Sequence, residues 1–281
     1  MKLARKGRRW TAIAAATIIG VVLACALLAP LLAPYDPTDQ DLEKILLPPY
    51  WEAGGVREHI LGTDALGRDM LSRIIYGARI SLLVGFSATA VQGTIGVLLG
   101  LTAGYLGGRW DAVVMRIADV QLAIPFLVLA LAVIAVLGPG LRNVILVLGA
   151  TGWVTYARVV RSEVLSVREK EFVEAARALG SPSLRIMFQQ VLPNVSTSIL
   201  VMSTLGIAHM IISEASLSYL GLGVQPPTPT WGGMVADGRI WLVTSWWVST
   251  LPGVAIFVTV LAVHILGDFI RDWLDPTLKN L

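Results

Sequence analysis

Six long apolar stretches alternate with polar intervals along the chain, at about 10–33, 80–106, 112–137, 144–160, 195–220 and 248–267. Each comes close to or exceeds the roughly 20 residues that an α-helix needs to cross a bilayer core of about 30 Å. The pattern predicts an all-α integral membrane protein with six transmembrane helices, arranged as one domain over 10–281 behind a basic tail at 1–9. The intervals predict a long loop over 34–77, a hairpin over 161–193 and a loop over 221–247 rich in proline, glycine and tryptophan. In that last loop Trp231, Trp241, Trp246 and Trp247 are expected at the lipid headgroup boundary, where an indole keeps one side apolar and one wet. Pro30 and Pro34 close the first span, and Arg116, Asp119 and Gln121 crowd the first turns of the third.

The polar intervals carry their own periodicity. Phe172, Ala175, Ala176 and Leu179 occupy the i, i+3, i+4, i+7 positions of one helical face, with Glu171, Glu174 and Arg177 turned elsewhere. Gly180 sits where a helix stops in a left-handed residue, and Ser181-Pro182 supplies an N-cap and a first-turn proline for a second helix that ends before Pro193. A hairpin bent at Gly180 is expected, which on helix signals alone is equally an ordinary loop between two spans. The run LGTDALGRD at 61–69 is turn-rich and leads into a helix with Asp64 as its cap; on physics alone it is a turn at the membrane surface. Gly96, Gly100 and Gly104, preceded by Gly85, Thr89 and Gly93, mark the second span as a packing helix, because small residues let backbones approach closely in lipid.

Composition narrows the function. With 55% hydrophobic residues, 15% charged residues and a mean hydropathy of +0.71, the chain is too apolar for a soluble globule of its length. The net charge is only +3 and the bases are scattered among apolar spans, so they record topology and not nucleic-acid binding. With the N-terminus in the cytoplasm, fifteen basic residues fall inside and six outside, Arg79 lying at a span edge. The positive-inside rule therefore puts both termini and the 161–193 hairpin in the cytoplasm. The single Cys25 excludes an internal disulfide framework, and the apolar run around it continues too far for a cleaved signal. No Gly-Lys dipeptide occurs, so a Walker A loop is absent and nucleotide hydrolysis must come from another subunit. His59, His209 and His264 show no metal-ligand spacing, and nothing suggests catalysis. His209 and Glu214, both within the fifth span, either line a translocation path or satisfy helix-to-helix hydrogen bonds; His264 and Asp268 are spaced to pair on one face.

Two motifs carry a family resemblance. Glu174-Ala175-Ala176, then three residues and Gly180, with Leu192-Pro193 after eleven more, resembles the EAA loop by which ABC importer permeases dock on their ATPase. The run LGTDALGRDMLSRIIYGARISL at 61–82 resembles the dipeptide, oligopeptide and nickel subgroup, specifically its C-type partner. The resemblance implies a MetI-like ABC importer permease fold in the bacterial inner membrane and translocation of peptides, dipeptides or oligopeptides first. It further implies a second homologous permease chain, two ATPase subunits that hold ATP and Mg, and an extracytoplasmic substrate-binding protein, with no cofactor in this chain. Glu171, Glu174, Ala175, Ala176, Gly180, Leu192 and Pro193 are the coupling residues it implies: Glu174 a polar contact, the alanines close approach, Gly180 the bend. Gln190 departs from the pattern, standing where members often place isoleucine. Permeases for nickel or glutathione remain alternatives, as does an ion-gradient-driven secondary transporter, which would show inverted repeats that the two halves lack.

Overall fold

The computed structural model describes residues 2–274, with side chains from 10 to 273. Helices α1 (Lys2–Leu27) and α2 (Ala29–Leu32) open the chain, separated at Leu28 just before Pro30, which has no N–H to continue the ladder. After an irregular segment come α3 (Met70–Leu106), α4 (Gly108–Leu122), α5 (Phe126–Leu137) and α6 (Leu141–Val167). Then follow α7 (Glu171–Ala178), α8 (Ser183–Ile186), a π-helical turn at Met187–Val191, α9 (Leu192–Tyr219), α10 (Trp231–Gly238) and α11 (Trp247–Leu274). Among the described residues five helices are long and apolar enough to cross a membrane, and the bent pair α4 and α5 makes a sixth span when counted as one. The tail residues 275–281, with Lys279, lie outside the described residues, and of 2–9 only the helical backbone is described.

The centre is the contact of α3 with α6. A methyl group on Gly96 would stand 2.5 Å from the Trp153 carbonyl oxygen, one on Gly100 2.5 Å from that of Ala157, and one on Gly104 2.9 Å from Val164 Cβ. The glycine stripe expected from the sequence therefore does bring two backbones together. From the other side Gly149 receives Val91 and Gly152 receives Gln92, so the seam is reciprocal. Along its other edge α3 takes α9, with Ile211 against Gly85. Helices α1 and α11 flank this core, sharing a cluster around Ala26, Leu82 and Ile211.

Four expectations are corrected. Helix α3 begins at Met70, not near residue 80, because Asp69 and not Asp64 caps it, accepting from the Ser72 N–H and hydroxyl at 2.8 Å each. At 37 residues it is about 55 Å long and outreaches the bilayer core, so residues 70–77 belong to it and not to the loop. The third span is no straight rod: it breaks by 90° at 123–125, where Pro125 ends α4. Ion pairs Arg161–Asp111 and Arg158–Asp119 hold the polar side of α4 to α6. Trp231 (2% exposed) and Trp247 are core residues and not headgroup anchors, their indole N–H groups donating to the carbonyls of Ile74 at 2.9 Å and Thr63 at 3.0 Å. His264 and Asp268 are both exposed on α11 and do not pair.

The seam predicts a contrast. Gly100→Val should destabilise the protein by about 1–3 kcal/mol through overpacking, whereas Gly20→Ala on α1, where an added methyl meets nothing within 4 Å, should be neutral or slightly stabilising. Thermal unfolding of the purified variants in one detergent measures both; equal melting temperatures would refute the seam.

Candidate functional site

The 171–193 segment is built as a bracket on the ends of α3 and α6. Val173 and Ala176 of α7, Ile186 of α8, Met187 and Val191 of the π-turn, and Val195 of α9 are buried in one cluster. They pack with Leu101 and Tyr105 of α3 and Val160, Val164 and Val167 of α6. Polar contacts reinforce it: Arg168 Nη1 donates to the Gly104 carbonyl at 2.8 Å, and the Arg177 guanidinium lies 5.3 Å from the centre of the Tyr105 ring.

The bend forms as expected, by a Schellman arrangement. The Ser181 N–H donates to the Ala176 carbonyl at 3.0 Å and the Gly180 N–H to Arg177 at 2.9 Å, with Gly180 at φ +77°. No atom crowds Gly180, so backbone conformation alone requires glycine there. Ser181 does not cap the second arm: α8 starts after Pro182 with no side-chain cap.

The apolar face read from the sequence is the one left open. Of Phe172, Ala175, Ala176 and Leu179, only Ala176 is inside; Phe172 is 41% and Leu179 87% exposed. Val173, one position round the helix, takes the inner place because it can reach the valines of α6. Leu184 and Phe188 on the second arm are also exposed, as are Glu171, Glu174 and Ala175. The result is an uncovered apolar surface with two carboxylates at the N-terminal turn of α7.

The second arm does not stop before Pro193. Ser183–Tyr219 runs as one rod, with Leu192 half-buried and Pro193 exposed within it. The π-turn at Met187–Val191 takes up the irregularity that a proline without an N–H imposes, and Asn194 Nδ2 donates to the Gln190 carbonyl at 2.7 Å. The departing residue Gln190 sits in this turn, its Oε1 buried without a hydrogen-bond partner among the described residues.

Further along α9, His209 and Glu214 are not brought together. Five residues apart on a helix, they point about 140° from each other. His209 is exposed and lines a 230 Å³ cavity inside the α4–α5 elbow with Gln92, Gln121, Thr151 and Thr155, its ring 5.5 Å from Phe126. Gln121 is pinned there, donating to the Thr151 carbonyl and accepting from Trp153 Nε1 at 2.8 Å. Glu214 is fully buried and lines neither this cavity nor the larger one described below; its Oε1 accepts from Ser218 Oγ at 2.7 Å and its Oε2 has no hydrogen-bond partner among the described residues.

Residues 96–280 match the family described as binding-protein-dependent transport system inner membrane component, and residues 7–49 match the N-terminal transmembrane domain of oligopeptide transport permease C. The chain belongs to the binding-protein-dependent transport permeases. It is a multi-pass inner-membrane protein. It is 46% identical over 260 residues to the di/tripeptide transport system permease protein DppC of Pseudomonas aeruginosa (strain UCBPP-PA14), covering 92% of this permease and 86% of that one. It is 42% identical over 274 residues to the glutathione transport system permease protein GsiD of Escherichia coli O6:K15:H31 (strain 536 / UPEC), covering 97% and 88%. Among solved structures, the inward-facing MetNI methionine ABC transporter superposes with a TM-score of 0.59 at 20% identity, over 73% of this permease and 98% of that chain. The fold is thus MetI-like, as the resemblance implied.

Sequence reasoning passed over a second polar centre of the permease, at the opposite end from the hairpin. The 61–69 run folds as a knot of buried charge: Asp64 Oδ1 accepts from the N–H groups of Leu66 and Arg68, its Oδ2 accepts from Arg68 Nε at 2.7 Å, and Asp69 Oδ1 lies 3.0 Å from His59 Nδ1. Arg68 and Arg73 extend from it to the wall of a 410 Å³ cavity, facing Asp237 of α10. The available signal was the pairing of Arg68 and Arg73, five residues apart, with Asp64 and Asp69 in a loop otherwise read as a turn.

Placing valine at Gly180 forces a β-branched residue into the left-handed region, at about 1–2 kcal/mol. Amide exchange across 176–186 should accelerate roughly tenfold while α3 amides are unmoved, as read by hydrogen–deuterium exchange; unchanged exchange at Ser181 would contradict the Schellman bend.

Proposed function

We propose that this permease is the C-type transmembrane subunit of an ATP-driven importer of peptides, dipeptides or oligopeptides, and that the 171–193 hairpin couples it to a separate ATPase. The observation that carries the reading is the set of exposed apolar side chains on the hairpin, Phe172, Leu179, Leu184 and Phe188, with the exposed carboxylates of Glu171 and Glu174, on a bracket whose other side is packed. An exposed apolar patch rimmed by charge is the ordinary form of a protein-binding surface. Support for the substrate class comes from the 46% identity to a di/tripeptide permease; the 42% identical glutathione permease makes glutathione the second choice, itself a small peptide. The ion-gradient-driven alternative gives way to the family assignment.

In this reading the complex contains a second homologous permease, two ATPase subunits that bind ATP and Mg, and an extracytoplasmic binding protein. The fifteen-to-six distribution of basic residues supports cytoplasmic termini and hairpin, and so an outer position for the 34–69 loop and α10. Because Ser183–Tyr219 is one rod of about 55 Å, displacement at the hairpin moves His209 and the elbow cavity directly. Val173 and Ala176 transmit the same push to α3 and α6. Glu174 supplies the polar contact and Gly180 keeps the two arms at a fixed angle. His209 and Gln121 line the path; Glu214 serves packing from its buried position.

In proteoliposomes holding the whole complex, Glu174→Lys and Leu179→Asp should each cut ATP-dependent uptake of a labelled dipeptide at least tenfold, with the permease pair still assembled. Wild-type uptake in both variants would remove the coupling role. Uptake by the permease alone under an ion gradient would remove the importer reading.

A further inference from the structure

We propose that the 410 Å³ cavity at the outer end of the permease is a receiving site for the C-terminal carboxylate of a peptide, held by the guanidinium groups of Arg68 and Arg73. The inference rests on the importer reading and adds a substrate subsite to it.

The cavity lies between α9, α10 and the 61–69 knot, and its wall includes Arg68, Arg73, Arg239, Asp237, Ser218 and Thr230. Arg68 is 6% and Arg73 4% exposed. Both are oriented from behind by one carboxylate: Arg68 Nε donates to Asp64 Oδ2 at 2.7 Å, and Arg73 Nε stands 3.4 Å from the same oxygen. Their Nη2 groups face Asp237 Oδ2 across 3.8 and 3.9 Å, beyond hydrogen-bond reach. Arg73 Nη1 has only a long bond to the Pro37 carbonyl at 3.4 Å. Two forked donors are therefore fixed in place with N–H groups left over, and a planar carboxylate is the acceptor that such forks match best.

Charge agrees with geometry. Three arginines line the cavity against Asp237, with Asp64 behind them, so one positive charge is left for a ligand to balance. Burial pushes the Asp237 carboxyl above its usual range, and the pull of Arg73 and Arg68 does not reverse this, so it does not consume them as a tight ion pair. Shape selects the source of the carboxylate. A concave pocket of this volume suits a small ligand, whereas docking of a whole binding protein needs a patch of about 800 Å² on each partner. Ser218, on the wall, and His209, in the elbow cavity, share α9 and lie about 14 Å apart along its axis. A peptide received here stands above the path that the importer reading assigns.

The test uses the intact complex of both permeases and both ATPases in nanodiscs, without binding protein, with dialanine and dialanine amide as probes followed by saturation-transfer NMR. Dialanine should bind, and its amide roughly tenfold more weakly. Arg239→Gln should weaken dialanine several-fold, and Asp237→Asn, which removes the competing carboxylate, should tighten it several-fold without altering the amide. These rim residues are chosen because replacing Arg68 or Arg73 would break the folded knot. Equal binding of acid and amide, or variants that leave dialanine affinity unchanged, overturns the proposal. So does a result in which Asp237→Asn, in a parallel assay with the binding protein added, alters only the affinity for that protein, since the carboxylate would then be that partner's. ATP-driven uptake by the wild-type complex with its binding protein is measured alongside: if it fails, the importer reading falls, and if it succeeds while acid and amide bind alike, only the subsite falls.

Discussion

The close approach of α3 and α6 is the constraint on which the rest of the molecule depends. In a bilayer, apolar surface gains nothing by leaving lipid for another helix, so contact must come from backbones near enough for dense packing. Gly96, Gly100 and Gly104 on one side, with Gly149 and Gly152 on the other, provide that approach. One end of the seam sets Tyr105 beside Val164 and so creates the seat for the hairpin. Further along it leaves Gln92 against Gly152 and facing the elbow cavity. Both the hairpin seat and the elbow cavity are consequences of where two glycine stripes allow helices to meet.

Two prolines divide the remaining structure into stiff and compliant parts. Pro125 breaks the third span by 90° and opens the elbow; Pro193 is absorbed by a π-turn and leaves a continuous rod. The difference lies in the neighbours. At Pro193 the flanking turn is buried among Val160, Val164 and Tyr105, and Asn194 bonds a nearby carbonyl, so continuing the helix keeps both packing and hydrogen bonds. At Pro125 the chain turns the apolar α5 against α6 while the ion-paired α4 stays at the α6 end that carries Arg158 and Arg161.

At the far end, charge replaces small-residue packing as the organising force. Asp64, Asp69, Arg68 and Arg73 are nearly all inside, where each charge must have a partner. They find one another across the 61–69 turn, and the Trp247 indole N–H ties α11 to that turn through the Thr63 carbonyl while Trp231 bonds the Ile74 carbonyl of α3. Trp246, just before α11, donates to Glu52 at 2.8 Å and stitches the long loop to the entry of that helix.

What the sequence determined by itself were the features written in local order. Apolar run lengths set the number of spans, glycine spacing marked α3 as a packing helix, and Gly180 marked the bend, because each depends only on residues a few positions apart. Which face of α7 is buried was not local: Val173 lies inside because the valines of α6 are there to receive it, and Phe172 and Leu179 lie outside because none of the described residues covers them. The start of α3 was hidden because the polar run 61–69 reads as a surface turn until His59, Asp64, Arg68 and Arg73 are seen buried together around the Asp69 cap. Trp231 and Trp247 read as interfacial from composition, yet their partners, Ile74 and Thr63, are more than a hundred residues away. Only the tertiary structure could bring those groups together, since burying a charge or an indole N–H is settled by the groups that surround it and not by those that precede it.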